Sequence, residues 1–541
     1  MISLVHKLKS SFVFLLVALI SYSVFMLNFQ HYQRLSGDAL FYLSIAEKYV
    51  SGDFGNAING YWGPLLSWLL IPFLFFGSKH LFAINALDWI FGFLTIIGVW
   101  RFSYKFEINE NIRSIILLLL VPILYFISLI QPMDFLLLCI LIWYLNVIFR
   151  HDYADRLFNA LLCGILGALA YFSKPYGLPF FVSHFLLINI FHYFRNSSKE
   201  HKKNVLRNVL AGFVLFSLLS GIWIALISNK YGQITFSNMG RGVFVSLGPG
   251  SLHRTLEKGD PIFFDGFFEP PNETAIVIYE DPSYARKKSW SPLESRSSFK
   301  HFIDNIIENI FEGLRIYESY SRMSIAIVIA YMVLIFAQPF NKLLTGGDLL
   351  YPFLTLLLYT GGYIPFHFES RYLWIINILL LLMGGKVLTE LFKSEFIKMN
   401  VSRKIVTFFF IVSFAVTPIK SSIDIGKNDL NKKMSTLGAE LKKRFEIHGN
   451  IASNRQAMQV VNHDSWHNTY RLAYWLDSRY YGEARENISD EDLEKELKKY
   501  AIDYYFFWNE SISPPRFLLQ YKELTSGEIP GLKIYSLNEK K

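Results

Sequence analysis

The feature that most constrains this chain is a series of apolar runs of roughly 17 to 25 residues, the length that carries a helix across ~30 Å of hydrocarbon at 1.5 Å per residue. Eleven are read, at 10–28, 81–100, 112–130, 134–149, 156–173, 177–194, 205–228, 323–340, 347–366, 371–391 and 404–420. A backbone that crosses lipid must satisfy its own polar groups, so these runs predict helices and an all-α polytopic membrane protein. Composition agrees: 52% of the 541 residues are hydrophobic and 18% charged, against about 25% charged in a soluble globular chain. A twelfth apolar stretch, 64–77, is short and bounded by proline and glycine. It suits a re-entrant or interfacial helix better than a crossing.

The formal charge of +9 would in a soluble protein suggest nucleic acid. The tail 421–541 holds 18 basic and 18 acidic residues, so the whole excess belongs to 1–420. There it is explained by cytoplasmic loops, and no basic, aromatic-interleaved stripe is left over for a nucleic acid. With the N-terminus inside, the inner segments hold seventeen basic residues, while the short outer turns hold two, Lys174 and Arg371. That asymmetry predicts a cytoplasmic N-terminus and an external tail. Lys7 and Lys9 before the first apolar run resemble a signal peptide, but the run is long and has no small-x-small cleavage site, so a retained first span is expected. Cys139 and Cys163 lie inside apolar runs and read as small hydrophobes.

The expected organisation is a transmembrane domain, 1–420, with large outer loops at 29–80 and 229–322, followed by an external α/β domain, 421–541. In that domain, Ser489 and Asp492 read as a capping box opening the helix 490–500, and 502–508 reads as a strand. In the middle loop, Phe299, Ile303, Ile307, Ile310 and Leu314 share one apolar stripe of a helix, which would lie on the bilayer or over a site.

The informative outer segment runs Ser36-Gly-Asp38-Ala-Leu-Phe-Tyr42-Leu-Ser-Ile-Ala46 and continues to Gly63-Pro64-Leu65. Asp38 sits where a carboxylate can meet a lipid headgroup; its plain structural reading is a cap on the helix 39–50. This arrangement resembles the membrane glycosyltransferases of the GT-C fold, in particular the protein O-mannosyltransferase and aminoarabinose-transferase branch. Those enzymes carry an acidic residue in the first outer loop, a Tyr-Leu-x-x-Ala helix and a Pro-Pro-Leu element. Here Gly63 replaces the usual second proline, and the usual preceding histidine is absent. The turn Gln131-Pro-Met-Asp134 resembles the family's second acidic position, and His367-Phe-Glu369-Ser-Arg371-Tyr372-Leu its Arg-Tyr-Leu element.

The resemblance implies a GT-C-like fold and transfer of a hexosyl or pentosyl group from a polyprenyl-phosphate sugar to an envelope glycan, glycolipid or protein, on the outer face of a bacterial cytoplasmic (inner) membrane. Displacement at the anomeric carbon needs a base for the acceptor hydroxyl and positive charge for the departing phosphate. Asp38 is the expected base. Arg371, by a bidentate fork, and Lys174, as a point charge, are expected to hold the phosphate. The plain alternative for both is interfacial snorkelling. Asp134 would tune Asp38, bind the acceptor or share a divalent ion, although the ligand spacing does not itself indicate a metal. Tyr42, His367, Glu369 and Tyr372 are further substrate-binding candidates. The second reading is a transporter or lipid-linked-sugar flippase, kept open by Asp88 in the middle of a run.

Overall fold

The computed structural model describes residues 10–28, 37–245, 247–249, 266–284, 290–338, 349–394, 399–427, 430–455, 465–508 and 513–540. Lys7, Lys9, Ser36 and positions 339–340 and 347–348 of two expected spans lie outside them. In chain order the principal helices are α1 (Ser10–Asn28), α2 (Gly37–Ser51), α3 (Pro64–Phe75), α4 (His80–Ser103), α5 (Glu110–Ser128), α6 (Pro132–Ile148), α7 (Leu157–Ser173), α8 (Gly177–Arg195) and α9 (Lys199–Tyr231). There follow α10 (Arg296–Tyr320), α11 (Ser324–Phe336), α12 (Leu350–Gly361), α13 (Trp374–Lys393), α14 (Asn400–Lys427), α15 (Leu430–Phe445), α16 (Ser465–Trp475) and α17 (Asp490–Lys499).

Each expected span falls on a helix. Among the described residues, seven helices are long and apolar enough to cross a membrane, with an eighth span if α10 and α11, bent by 99° at their junction, are taken together. The expected spans at 134–149, 156–173 and 347–366 correspond to the shorter apolar helices α6, α7 and α12, of 17, 17 and 12 residues. The short stretch at 64–77 forms the 12-residue α3, opened by Pro64, whose missing N–H would have had no partner in a first turn.

The chain divides into two compact units. The first comprises Met1–Tyr32, Gly63–Phe236 and Ile303–Asn428 and holds the apolar helices. One group of polar side chains in its interior is satisfied by mutual hydrogen bonds. Thr355 donates to the Tyr351 carbonyl at 2.7 Å, which leaves its oxygen to accept from His184 Nε2 at 2.8 Å, and the Tyr144 hydroxyl, 2.9 Å from His184 Nδ1, completes a buried chain.

The second unit comprises Gln33–Trp62, Ser237–Phe302 and Asp429–Lys541. Its six strands are β1 (Gly266–Phe267), β2 (Asn450–Ser453), β3 (Arg479–Glu483), β4 (Tyr504–Trp508), β5 (Tyr521–Glu523) and β6 (Leu532–Lys540), in the order β1-β3-β2-β4-β6-β5. β2 runs parallel to both β3 and β4, as the intervening helices α16 and α17 require. Ser489 caps α17 as its spacing predicts, accepting from Asp492 N at 3.1 Å. The core joins Tyr481 and Tyr505 of the strands to Leu493 and Leu497 of α17. The tail does not complete this sheet alone, because edge strand β1 comes from the middle loop and pairs Gly266 with Glu483 and Phe267 with Gly482.

One ion pair fixes α2 within this unit. Lys48 Nζ pairs with Glu280 Oε1, and the two side chains are 3% and 2% exposed. Glu280 Oε2 accepts from Ser44 Oγ at 2.9 Å and from Ile276 N at 3.2 Å, and the Glu280 carbonyl accepts from Asn59 Nδ2 at 2.7 Å. A buried pair is retained when its remaining lone pairs are satisfied in this way, whereas removing one partner strands the other charge. Glu280→Ala is therefore expected to destabilise the second unit by about 3–5 kcal/mol, read as a lower unfolding temperature of the purified chain. An unchanged temperature would show that Lys48 reaches solvent.

Candidate functional site

In the first unit, four charged side chains that are distant in sequence converge at one end of the helices. Asp134 lies in the first turn of α6, where the absence of upstream intrahelical acceptors leaves amide hydrogens directed at an anion. Lys174 caps the C-terminus of α7 with extended backbone. Glu369 and Arg371 belong to the connection that enters α13 through the 3₁₀ turn Ser370–Leu373.

Lys174 Nζ lies 2.5 Å from Asp134 Oδ1, with side-chain exposures of 8% and 3%. Arg371 Nη1 stands 3.8 Å from the other oxygen, Oδ2, which accepts no hydrogen bond among the described residues. Glu369 holds the guanidinium from its other side, taking Nε at 2.6 Å and Nη2 at 3.2 Å. The Tyr372 hydroxyl donates to Glu369 Oε1 at 2.7 Å, and the Tyr372 ring lies with its centroid 3.5 Å from Lys174 Nζ. The order Lys174–Asp134–Arg371–Glu369 alternates in sign. Two cations are thereby held close together, each with an anionic neighbour that offsets their repulsion.

Burial lowers the Lys174 pKa below the ordinary lysine value; Asp134 opposes that shift and Arg371 adds to it. Burial pushes Glu369 upward, but the Arg371 guanidinium and the hydrogen bonds from Arg371 and Tyr372 outweigh it and hold this carboxyl below its usual range.

Tyrosines surround the cluster. The Tyr372 and Tyr363 rings stack at 5.4 Å, Tyr363 lies 4.0 Å from Tyr176, and Tyr176 donates to the Tyr359 carbonyl at 2.7 Å. Tyr320 donates to the Ser370 carbonyl, tying the end of α10 to the Arg371 turn. His367 lies half-buried on the same connection.

The remaining sequence candidates belong to the second unit. Asp38 lies inside the first turn of α2, which begins at Gly37, so it is not the cap that the sequence suggests. It is partly buried, and its helix is held by the stacking of Phe41 on Tyr470 at 5.9 Å and by a 3.1 Å hydrogen bond from Tyr474 to Glu47. Tyr42 is buried and packs edge-on against Trp62.

Of the eight sequence candidates, Asp134, Lys174, Glu369, Arg371 and Tyr372 are thus joined through direct contacts. Snorkelling does not describe Lys174, which turns inward to Asp134. Sequence reasoning missed Tyr363 and Tyr176, whose only signal was their position at helix ends beside the turns that carry Lys174 and Arg371. It also missed Glu280, which carries no local signal because its partner lies more than two hundred positions away. Among the described residues, no group of three or more His, Cys, Asp or Glu side chains is arranged to hold a metal.

The chain has the GT-C glycosyltransferase fold. ArnT from Cupriavidus metallidurans, solved bound to undecaprenyl phosphate, aligns with a TM-score of 0.54 and 11% identity over 97% of this chain and 97% of its own. The archaeal oligosaccharyltransferase AglB from Archaeoglobus fulgidus, in complex with an inhibitory peptide and a dolichol-phosphate, aligns at 0.49 and 12% identity, over 92% of this chain and 69% of its own. Mycobacterial arabinofuranosyltransferase AftD aligns at 0.49 and 11% identity, over 96% of this chain and 41% of its own. No family model matches the chain, and no curated protein does.

Gly63, which stands where the resembling enzymes carry proline, packs against the C-terminus of α7. A Cβ there would lie 2.4 Å from the Phe172 carbonyl oxygen and 2.6 Å from that of Ser173, directly before Lys174. Gly63→Ala is expected to push this turn outward at a cost of about 1–3 kcal/mol. The check is the rate at which an amine-acylating reagent modifies Lys174: it should rise in the variant, and an unchanged rate would separate Gly63 from the cluster.

Proposed function

We propose that this protein is an integral-membrane glycosyltransferase that transfers a hexosyl or pentosyl group from a polyprenyl-phosphate donor to an envelope glycan, glycolipid or protein on the outer face of a bacterial cytoplasmic membrane. The observation that carries the reading is the convergence of Arg371 and Lys174 on Asp134 at one end of the apolar helices, in a chain with the GT-C fold. A lipid phosphate at a water-poor headgroup boundary needs fixed cations, and a planar guanidinium can grip two of its oxygens.

The reaction forms a bond between the acceptor oxygen and the anomeric carbon and breaks the bond from that carbon to the phosphate oxygen. The acceptor proton passes to the Asp38 carboxylate, and the electron pair leaves with the polyprenyl phosphate, where Arg371 stabilises the added charge. Glu369 and Tyr372 orient the guanidinium. Lys174, already neutralised by Asp134, is the reserve cation: a phosphate drawing Arg371 away from Asp134 leaves that carboxylate to Lys174 alone. His367 and Tyr42 keep secondary parts in sugar binding and in supporting the Asp38 helix. The domain division proposed is a transmembrane domain through residue 420 and an external domain beyond it, with the N-terminus cytoplasmic.

One observation favours the transporter reading. Asp88 is 1% exposed in α4, and its Oδ1 has no hydrogen-bond partner among the described residues; ionisable groups within spans often serve transport. It forms no ion pair among the described residues, which makes it the weaker case.

Asp38→Asn keeps the shape of the side chain and removes its basic lone pair. Turnover should fall by roughly 10²-fold or more, while donor binding persists. Transfer at the wild-type rate by purified Asp38→Asn protein would remove Asp38 as the base and leave Asp134 to be tested. Arg371→Lys replaces the fork with a point charge and should raise the donor KM more than it lowers kcat. Donor kinetics that do not change would take Arg371 out of the phosphate site.

A further inference from the structure

A second polar-to-apolar site lies at the opposite end of α13. There the C-terminus of α13 and the N-terminal turns of α5 and α14 enclose a cleft of about 510 Å³. Among the described residues Lys393, Arg403 and Lys404 line it, and no acidic residue does. Asn109 and Asn111 complete its polar rim, with Asn109 N bonded to Thr389 Oγ1 at 3.1 Å and Asn111 N to Asn109 Oδ1 at 2.9 Å, so the rim is held in place by α5 and α13 together.

Its character changes with depth. Arg403 and Lys404 lie in the first turns of α14, whereas Phe408 and Ile411 lie one to two turns further along the same helix, and Ile115 lies more than a turn into α5. At 1.5 Å per residue these apolar side chains stand roughly 6–10 Å beyond the basic rim. Phe408 is 60% exposed although it lines the cleft. The shape is that of an anionic head above an apolar tail.

The position along the helix agrees. α13 has 20 residues, which places about 30 Å between the Arg371 turn at its start and Lys393 at its end, the thickness of a hydrocarbon core. The two charged sites therefore stand at opposite headgroup levels. The rim cations are already placed: Lys393 contacts Glu390 at 3.0 Å, and Arg403 donates to the Phe392 carbonyl at 2.8 Å. Lys404 forms no ion pair among the described residues, and its side chain is exposed.

We propose that this cleft is a binding site for one anionic phospholipid. Its phosphate is held by Lys404 and Arg403 with Lys393 at the rim, and one acyl chain lies along Ile115, Phe408 and Ile411. The charge complementarity and the apolar floor together select a lipid over a free anion, which would gain nothing from the floor, and over a zwitterionic lipid, whose positive head would meet three cations. The site is independent of the glycosyl-transfer reading, since none of its residues belongs to the Asp134 cluster.

The test uses the full chain, purified in non-ionic detergent and titrated with phosphatidylglycerol or phosphatidylcholine while bound lipid is counted by native mass spectrometry. Phosphatidylglycerol should bind more tightly than phosphatidylcholine, and excess inorganic phosphate should not displace it. The double variant Lys393→Gln, Lys404→Gln should lose roughly fivefold in affinity for each cation removed, about 25-fold in all, with an unchanged unfolding temperature when no lipid is added. Equal binding of the two lipids, displacement by inorganic phosphate, or an undiminished affinity in the folded variant would overturn the proposal. A second measurement does not depend on the variant: phosphatidylglycerol with a photoreactive acyl chain should label residues 399–411 or 109–115 of the wild-type chain, and labelling confined to other segments would also overturn it.

Discussion

The ion pair between Lys174 and Asp134 is the interaction on which the candidate site depends. Neither charge could remain buried alone, because an isolated carboxylate or ammonium loses far more solvation than the packed protein returns. Pairing them requires the start of α6 and the end of α7 to meet at one level, and their short length of 17 residues each allows both ends to stop there. The Tyr372 ring over Lys174 and the Arg371 guanidinium beside Asp134 then bring the entry to α13 to the same place. Packing in this region thus follows from electrostatics: four charges of alternating sign form an arrangement that is nearly neutral overall and leaves Arg371 and Glu369 at the more exposed edge.

The second unit solves a similar problem in another way. Lys48 and Glu280 are buried more completely than the Asp134 cluster, and every oxygen of Glu280 is engaged by Ser44, Ile276, Asn59 or Lys48 itself. Such a closed network rigidifies. It holds α2, and with it Asp38, against the segment around Ile276, just as β1 from the same loop is held in the sheet. The Asp134 cluster is the more open of the two, since Asp134 Oδ2 lacks a close donor among the described residues and Arg371 keeps 18% of its side-chain surface. A charged cluster that is incompletely satisfied is the one suited to exchange partners when an anionic ligand arrives.

How much of this was legible in the sequence depends on the range of the interaction concerned. The helices could be read because lipid demands long apolar runs, and the described parts of the eleven expected spans coincide with helices, although α7, α11 and α12 are shorter than the runs suggested. The Ser489 cap could be read because its partner is three residues away. Lys174 and Arg371 stand out in the sequence as isolated cations of short turns, but the pairing of Lys174 with Asp134 spans 40 positions, and nothing local predicts inward burial over snorkelling. The Lys48–Glu280 pair and strand β1 lay beyond sequence reasoning for the same reason: both are contacts between segments separated by more than two hundred residues, and two residues of strand carry too little periodicity to recognise. In the sequence Gly63 is legible only as a departure from a motif; the close approach of the Phe172 and Ser173 carbonyls supplies its physical reason.

The central claim is that the Lys174–Asp134–Arg371 cluster receives the phosphate of a polyprenyl lipid. The most direct measurement compares the unfolding temperature of the purified chain with undecaprenyl phosphate and with the uncharged alcohol of the same length, because only the phosphate distinguishes the two ligands. The account predicts a concentration-dependent rise with the phosphate, little change with the alcohol, and loss of that difference in an Arg371→Gln variant. An equal response to both lipids, or a phosphate-specific rise that survives in Arg371→Gln, would contradict it.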